Sequence, residues 1–203
     1  METENKEKTS VGVHLTETPY ILKNSGVHTL QVHVRQCRRE ELEEILRLQE
    51  YVYDTVTDKN TFVLSTREEL AESLAADVCI GAYEHGRLIA FTLIVTDPDS
   101  PRNLGNYLND SKARCHRCVT YDTTFVDPAY TGYGLQRTFL SLKNGIAVEM
   151  GACHALATVS PDNAVSLKNL RADGFEIADE KKMYGDRRRY IMRKTLIKRN
   201  DSR

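Results

Sequence analysis

The sequence predicts a mixed α/β (α+β) fold in which one sheet of parallel and antiparallel strands is covered by helices. Three observations carry this. The chain of 203 residues suits one domain rather than two. Strand-like and helix-like stretches follow the order β-α-α-β-β-β-α-β-α-β-β. Hairpin signals come early and β-α-β crossovers come late, which demands both strand pairings in one sheet.

Residues 1–28 are polar and without sustained periodicity, and read as a flexible tail. Leu30, Val32 and Val34 alternate with polar residues as a first strand. From Arg38 a helical stripe follows, with Leu42, Ile45, Leu46, Val52 and Tyr53 on one face and acids in the first turn. After a break over 54–60, Ser65-Thr66-Arg67-Glu68-Glu69 carries a capping-box signature, Ser or Thr followed three residues later by Glu, that starts a second helix reaching about Ala76. Val78 to Tyr83 and Leu88 to Val95 are strands, joined through the tight-turn pair His85-Gly86. Asp97 to Lys112 is a long loop of the kind that carries function or motion. Val119 to Val126 is a strand closed by Pro128, and Leu135, Phe139, Leu142 and Ile146 then recur at helical spacing until Gly151. Cys153 to Val159 is a strand, Ala164, Leu167 and Leu170 mark a short helix, and Gly174 stops it. Phe175 to Ile177 and Tyr190 to Leu196 are the last strands.

Composition excludes several classes. Hydrophobic residues make up 40% and charged residues 28%, as in ordinary globular proteins, and the net charge of −1 gives no field for nucleic acid or membrane binding. The longest apolar stretch, Leu88 to Val95, is far short of the roughly 20 residues of a membrane span. The N-terminal stretch METENKEKTS has no apolar segment of a secretory leader, and the scattered set of 5 cysteines reads as reduced thiols, so a cytoplasmic setting is expected.

The chemistry concentrates in Thr123-Thr124-Phe125-Val126-Asp127-Pro128-Ala129-Tyr130-Thr131-Gly132-Tyr133-Gly134-Leu135-Gln136. It reads as strand, proline break, glycine-rich turn and amphipathic helix. Glycines let backbone N–H groups converge on an anion, and the helix N-terminus adds about half a positive charge. A second stretch, Val159-Ser160-Pro161-Asp162-Asn163-Ala164-Val165-Ser166, runs into Leu170-Arg171-Ala172-Asp173-Gly174-Phe175.

Together these resemble the GNAT N-acetyltransferase superfamily over residues 30–197, the first as its acetyl-CoA pyrophosphate motif and the second as its strand, Asn, helix and Gly-Phe segment. The resemblance implies a mostly antiparallel central sheet with splayed central strands flanked by helices. It gives a domain at 29–197 between the N-terminal tail and a basic tail at 198–203. It implies acetyl-CoA as co-substrate and no metal. The backbone at Phe125 and Val126 would pair with the pantetheine arm, and an amide there would hold the thioester oxygen. The amides from Gly132 through Tyr133, Gly134, Leu135 and Gln136 to Arg137 would hold the pyrophosphate, helped by the Thr138 hydroxyl. Asn163 and Ser166 would line the pantetheine channel.

Three positions depart from the family pattern. Thr131 stands where Arg or Gln is usual, and Gln136 where Gly or Ala is usual. Leu170 stands where many members carry the Tyr that protonates the leaving thiolate; Tyr184 and Tyr190 are candidates to substitute for it, and the sequence does not place them. For the base, Asp122 lies four residues before Val126 and by period-two alternation shares a face with Thr124 and Val126. The competing reading is a strand-end Asp bonded to a neighbouring amide. Tyr53, Tyr107 and Tyr121 are candidate walls of an acceptor pocket built from the first helices and the loop 97–117.

Cys115-His116-Arg117-Cys118 is half a zinc site without a second pair, and reads as plain thiols at a strand entry. Cys153 reads as core. The stretch from Arg187 to Arg203, rich in Lys and Arg, reads as a solvated edge strand and frayed end. His14, His28 and His33 carry no assignment. The expected activity is acetyl transfer from acetyl-CoA to a primary amine of a small molecule or peptide by direct attack in a ternary complex, with Asp122 assisting deprotonation. The alternative is a non-catalytic CoA-binding sensor. An exposed edge strand invites a homodimer; no nucleic acid or membrane partner is expected.

Overall fold

In the computed structural model, residues 15, 19–26, 28–108 and 117–196 are described, and they build an eight-stranded sheet between two pairs of helices. The strands are β1 (Tyr20–Lys23), β2 (Thr29–Gln36), β3 (Val78–Glu84), β4 (Arg87–Val95), β5 (Cys118–Val126), β6 (His154–Val159), β7 (Glu176–Met183) and β8 (Arg187–Thr195). The helices are α1 (Leu42–Thr55), α2 (Arg67–Ala76), α3 (Leu135–Glu149) and α4 (Ala164–Ala172). Strand order is β1-β2-β3-β4-β5-β6-β8-β7, and every neighbouring pair is antiparallel except β5 and β6.

Local signals set most boundaries. The Thr66 hydroxyl accepts from the Glu69 amide while the Glu69 carboxylate accepts from the Thr66 amide, so the capping box starts α2. His85 and Gly86 both have positive φ, the geometry of a tight hairpin whose twist matches its strands. The Asn163 side chain caps α4 by accepting from the Ser166 amide at 3.0 Å.

The sheet separates two cores. On one face, Ile45, Leu48 and Val52 of α1 and Leu70 and Leu74 of α2 pack against Phe91, Leu93 and Phe125. On the other, Leu135, Phe139 and Ile146 of α3 and Leu170 of α4 pack against β2 to β6. The central strands β3 and β4 are covered on both sides and so read as continuous apolar runs.

Three features depart from the sequence expectation. Part of the expected tail, Tyr20–Lys23, is an edge strand that pairs with β2 at Tyr20↔Val32. Four residues are too short for a periodic signal. β7 extends to Met183, where Tyr184, Gly185 and Asp186 turn the chain with positive φ. β8 is an interior strand between β6 and β7, so its arginines do not guard an edge. Residues 1–14, 16–18 and 27 of the expected tail, residues 109–116 with Cys115 and His116, and residues 197–203 lie outside the described residues.

The opening that matters lies between β5 and β6. They pair only at Cys118↔His154, Val119↔Ala155 and Thr120↔Leu156, and then diverge. β5 continues along β4 to Ala90↔Val126, while β6 follows β8 to Val159↔Tyr190. Between these strands, α3 holds its face with the fully buried ring of Phe139. Phe139→Ala should lower unfolding stability by about 3–5 kcal/mol; urea denaturation should give a lower midpoint with an unchanged slope.

Candidate active site

The divergence of β5 and β6 opens a cavity of about 280 Å³. Thr120 to Thr124 of β5 form one wall and Ala157 to Ser160, at the end of β6, the other. The loop 61–65, Arg102 and Tyr107 close the side toward α1 and α2, while Gln136, Lys143 and Leu170 close the side of α3 and α4.

β5 is bulged. Its register on β4 shifts between Thr92↔Thr124 and Ile94↔Tyr121, so Asp122 and Thr123 together oppose Leu93. The alternation that would place Asp122 on one face with Thr124 and Val126 is therefore broken. Thr123 bonds Ser65 at 3.2 Å and Asp122 lies 3.6 Å from Arg102, both on the α1/α2 side. Thr124 accepts from Lys143 at 3.2 Å on the α3 side. The Asp127 amide donates to Ile89, so by alternation the main-chain groups of Phe125 face β4, and those of Val126 and Thr124 face the open edge. The Phe125 ring itself is committed to the core against Phe91.

Asp122 combines a side chain 28% exposed with a carboxyl raised above the usual range, mainly by burial. Arg102 opposes that rise but is shared: it also bonds Asp77 at 2.7 Å. The loop carrying Arg102 is anchored by Leu104, whose amide donates to the Thr120 hydroxyl at 2.8 Å, and by Asn103, which bonds Cys118 O.

Past the end of β5, outside the cavity lining, Asp127 is buried and accepts from the Ala129 amide at 2.9 Å, with Arg87 paired to its other oxygen. This sets the turn into Gly132 (φ 85°) and Gly134 (φ 82°), where α3 begins. Among the described residues, the amides from Gly132 to Arg137 have no hydrogen-bond partner and no side chain caps Gly134. They form a cradle for an anion at a helix N-terminus, and the Arg137 side chain folds back over Gly134. Thr131 and Thr138 turn their hydroxyls onto Pro128 O and Gly134 O within the same turn. Across the mouth, Gln136 bonds Ser166 at 3.3 Å and accepts from Asn169 at 2.5 Å, joining α3 to α4. The bulky Gln136 thus faces α4. The Asn163 oxygen is spent on its cap.

The tyrosines divide. Tyr107 lines the cavity, its hydroxyl donating to Pro101 O. Tyr121 lines it from the α3 side, with its hydroxyl bonded to Asn144 and its ring against Phe175; burial raises its phenol. Tyr53 is not among the lining residues; it packs behind Phe62, which is. Tyr184 reaches the cavity, bonding Thr158 at 3.4 Å, whereas Tyr190 does not line it.

Two cavity residues carry no signal in the motifs. Arg189 is 3% exposed and donates to the carbonyls of Asn60 and Arg188, tying β8 to the loop after α1. Lys143 is 1% exposed, and burial pushes its amine down to about 7. A lysine four residues after Phe139 and three before Ile146 interrupts an apolar stripe, and that interruption is readable in the sequence. Among the described residues, no group of His, Cys, Asp and Glu is arranged to hold a metal ion, and no helix is long and apolar enough to cross a membrane.

No family model matches the sequence, and no curated protein matches it significantly. Solved structures do resemble the fold. A GNAT-family acetyltransferase of Streptococcus pneumoniae is similar at 17% identity and TM-score 0.60, over 82% of this chain and 99% of that one. The ribosomal-protein-S18-alanine N-acetyltransferase of Escherichia coli is similar at 15% identity and TM-score 0.64, over 85% and 98%. The PaiA N-acetyltransferase of Thermoplasma acidophilum, solved in complex with coenzyme A, is similar at 16% identity and TM-score 0.57, over 82% and 99%. The chain has the fold of the GNAT acetyltransferases.

The left-handed backbone at Gly134 should reject a side chain. Gly134→Ala should destabilise the protein by about 1 kcal/mol. Gly145→Ala, inside α3 with open space around it, should stabilise it by up to about 1 kcal/mol. Opposite shifts of the urea midpoint check both.

Proposed function

We propose that the protein is a GNAT-type N-acetyltransferase that moves an acetyl group from acetyl-CoA to a primary amine by direct attack in a ternary complex. The observation that carries this reading is the row of unpartnered amides from Gly132 to Arg137 beside a split in the sheet. The row runs from the exposed Gly132 through the buried Leu135 to the exposed Arg137, so it is open to a ligand from solvent, and a diphosphate at a helix N-terminus supplies the acceptors. The resemblance of the fold to acetyltransferases, one of them solved with coenzyme A, supports the same choice.

Acetyl-CoA supplies an acyl group activated as a thioester. The chain's own residues bind and orient it. The amides of Gly132 to Arg137 hold the diphosphate. The outward main-chain groups of Thr124 and Val126 take the pantetheine arm as they would take a strand, and one of those amides holds the thioester oxygen. The Asn163 side-chain nitrogen, left over from its capping role, faces the same channel with Ser166. Phe125 contributes packing only.

Asp122 takes the proton that an arriving ammonium must lose before it can attack. Its raised pKa makes it a stronger base than an ordinary carboxylate, and Arg102 keeps it oriented. The acceptor enters from the side of Thr61 to Ser65, Tyr107 and Tyr184. A reducing cytoplasm fits the four described cysteines, all of them free thiols. Leu170 favours one second reading, a CoA-binding sensor without turnover, because an apolar group stands at the usual acid position.

Release of free thiol from acetyl-CoA across polyamines, amino acids, aminoglycosides and peptides separates the two. Thiol released only when an amine is present supports the transferase. Coenzyme binding with no release across the panel makes the chain a sensor. In the transferase, activity should rise with pH as Asp122 loses its proton, with a limb above the ordinary carboxylate range. Asp122→Asn should remove that limb and lower kcat by about 10²-fold.

A further inference from the structure

We propose that Lys143 is the acid of this site, its ammonium giving a proton to the coenzyme A sulfur as that sulfur leaves. The inference rests on the acetyl-CoA reading above.

Placement is the first ground. Lys143 lies on α3, buried at the cavity wall, on the opposite face of β5 from Asp122. A base on the acceptor side and an acid on the coenzyme side are what a transfer through the split sheet requires. Bonding is the second. The ammonium donates to the Thr124 hydroxyl at 3.2 Å and sits 4.9 Å from the centre of the Tyr121 ring. No carboxylate pairs with it among the described residues. Asp122 attracts it from β5, but its own near partner is Arg102. Asp173, after α4, is held by Lys194 of β8 at 2.8 Å and by Asn144. Glu69 of α2, Tyr184 of the β7–β8 turn and Arg189 of β8 also line the cavity.

The third ground is the neighbour. Leu170, at the position where the family resemblance expects a tyrosine, lines the same cavity on the α3/α4 side as Lys143. A buried ammonium without a counter-ion is a costly packing choice that Met or Leu would avoid. Its place beside the reacting strand gives it a use.

The step balances. As the acceptor nitrogen bonds the acetyl carbon, the carbon–sulfur bond breaks and its electron pair stays on sulfur. The acceptor ammonium loses two protons: Asp122 takes the first before attack and releases it to solvent, and takes the second as the amide forms, while the Lys143 proton joins the sulfur. Lys143, at about 7, is more acidic than a thiol at about 8.5, so this transfer runs downhill. Solvent restores the proton between turnovers.

The test separates binding from turnover. Calorimetry first establishes binding of coenzyme A to the wild-type protein and to Lys143→Met, which should bind it with similar affinity. With an amine that gives thiol release, kcat is then followed against pH. In wild type kcat should fall as pH rises past about 7, where the Lys143 ammonium loses its proton, by up to about tenfold per pH unit. Lys143→Met should lower kcat at neutral pH by about 10²-fold and lose that descending limb, and Tyr184→Phe should keep the limb. Lys143→Gln, which can keep the bond to Thr124, serves as a second variant if the methionine disturbs folding, and should also lose the limb. A wild-type profile without the descending limb, or a limb that persists without Lys143, overturns the proposal. Failure of coenzyme A to bind wild type, or of any amine to release thiol, is a separate result and overturns the acetyl-CoA reading beneath it.

Discussion

Two parallel strands that part company after three paired residues set the terms for the site. Backbone N–H and C=O groups in the middle of a sheet normally find partners in the next strand. Here the edge of β5 beyond Thr120 faces no strand among the described residues, although β5 is a central member of the sheet. Each group left unsatisfied and buried would cost about 1–3 kcal/mol, so water or a ligand must occupy the gap. The split is enforced from both sides. β5 stays on β4 through an antiparallel ladder interrupted only by the bulge, and β6 stays on β8 through an unbroken one. The opening is therefore a property of the fold and does not depend on any one side chain.

The bulge at Asp122 and Thr123 gives this opening its polarity. In a regular strand Asp122 and Thr124 would stand on the same face. The extra residue turns Asp122 and Thr123 toward α1 and α2 and returns Thr124 and Val126 to the side of α3. A carboxylate and an ammonium thus border one cavity from opposite faces of one strand. Burial disfavours the charged form of each, while their mutual attraction favours it. Both groups are held nearer to neutrality than at the surface, the condition in which a proton moves easily.

Much of the fold was legible because its signals are local. The capping box at Thr66 and Glu69, the His85-Gly86 hairpin and the glycine turn before α3 depend on residues within a few positions of one another. The bulge depends on register against β4, and it overturned the placement of Asp122. Arg102, Arg189 and the true position of Tyr53 depend on loops folding back from a distance, and no periodicity reports that. β1 is four residues long and lies in a polar stretch. Lys143 is a different case: its place on the apolar stripe of α3 was visible, but an isolated lysine in a stripe gives no hint of what lies opposite.

The form of the anion cradle explains how a recognisable fold coexists with so little sequence similarity. In the proposed complex the diphosphate rests on main-chain amides, and only the two glycines need a backbone that other residues resist. Thr131 and Gln136 can depart from the usual pattern because neither side chain is needed to contact the anion: one bonds its own turn and the other bonds α4. The split sheet is likewise a feature of pairing. On the proposed reading, what remains for side chains is the identity of the acid, the base and the acceptor wall. A site built on backbone can keep its geometry while its chemistry is reassigned, and that reading places such a reassignment between Leu170 and Lys143 on the two facing helices.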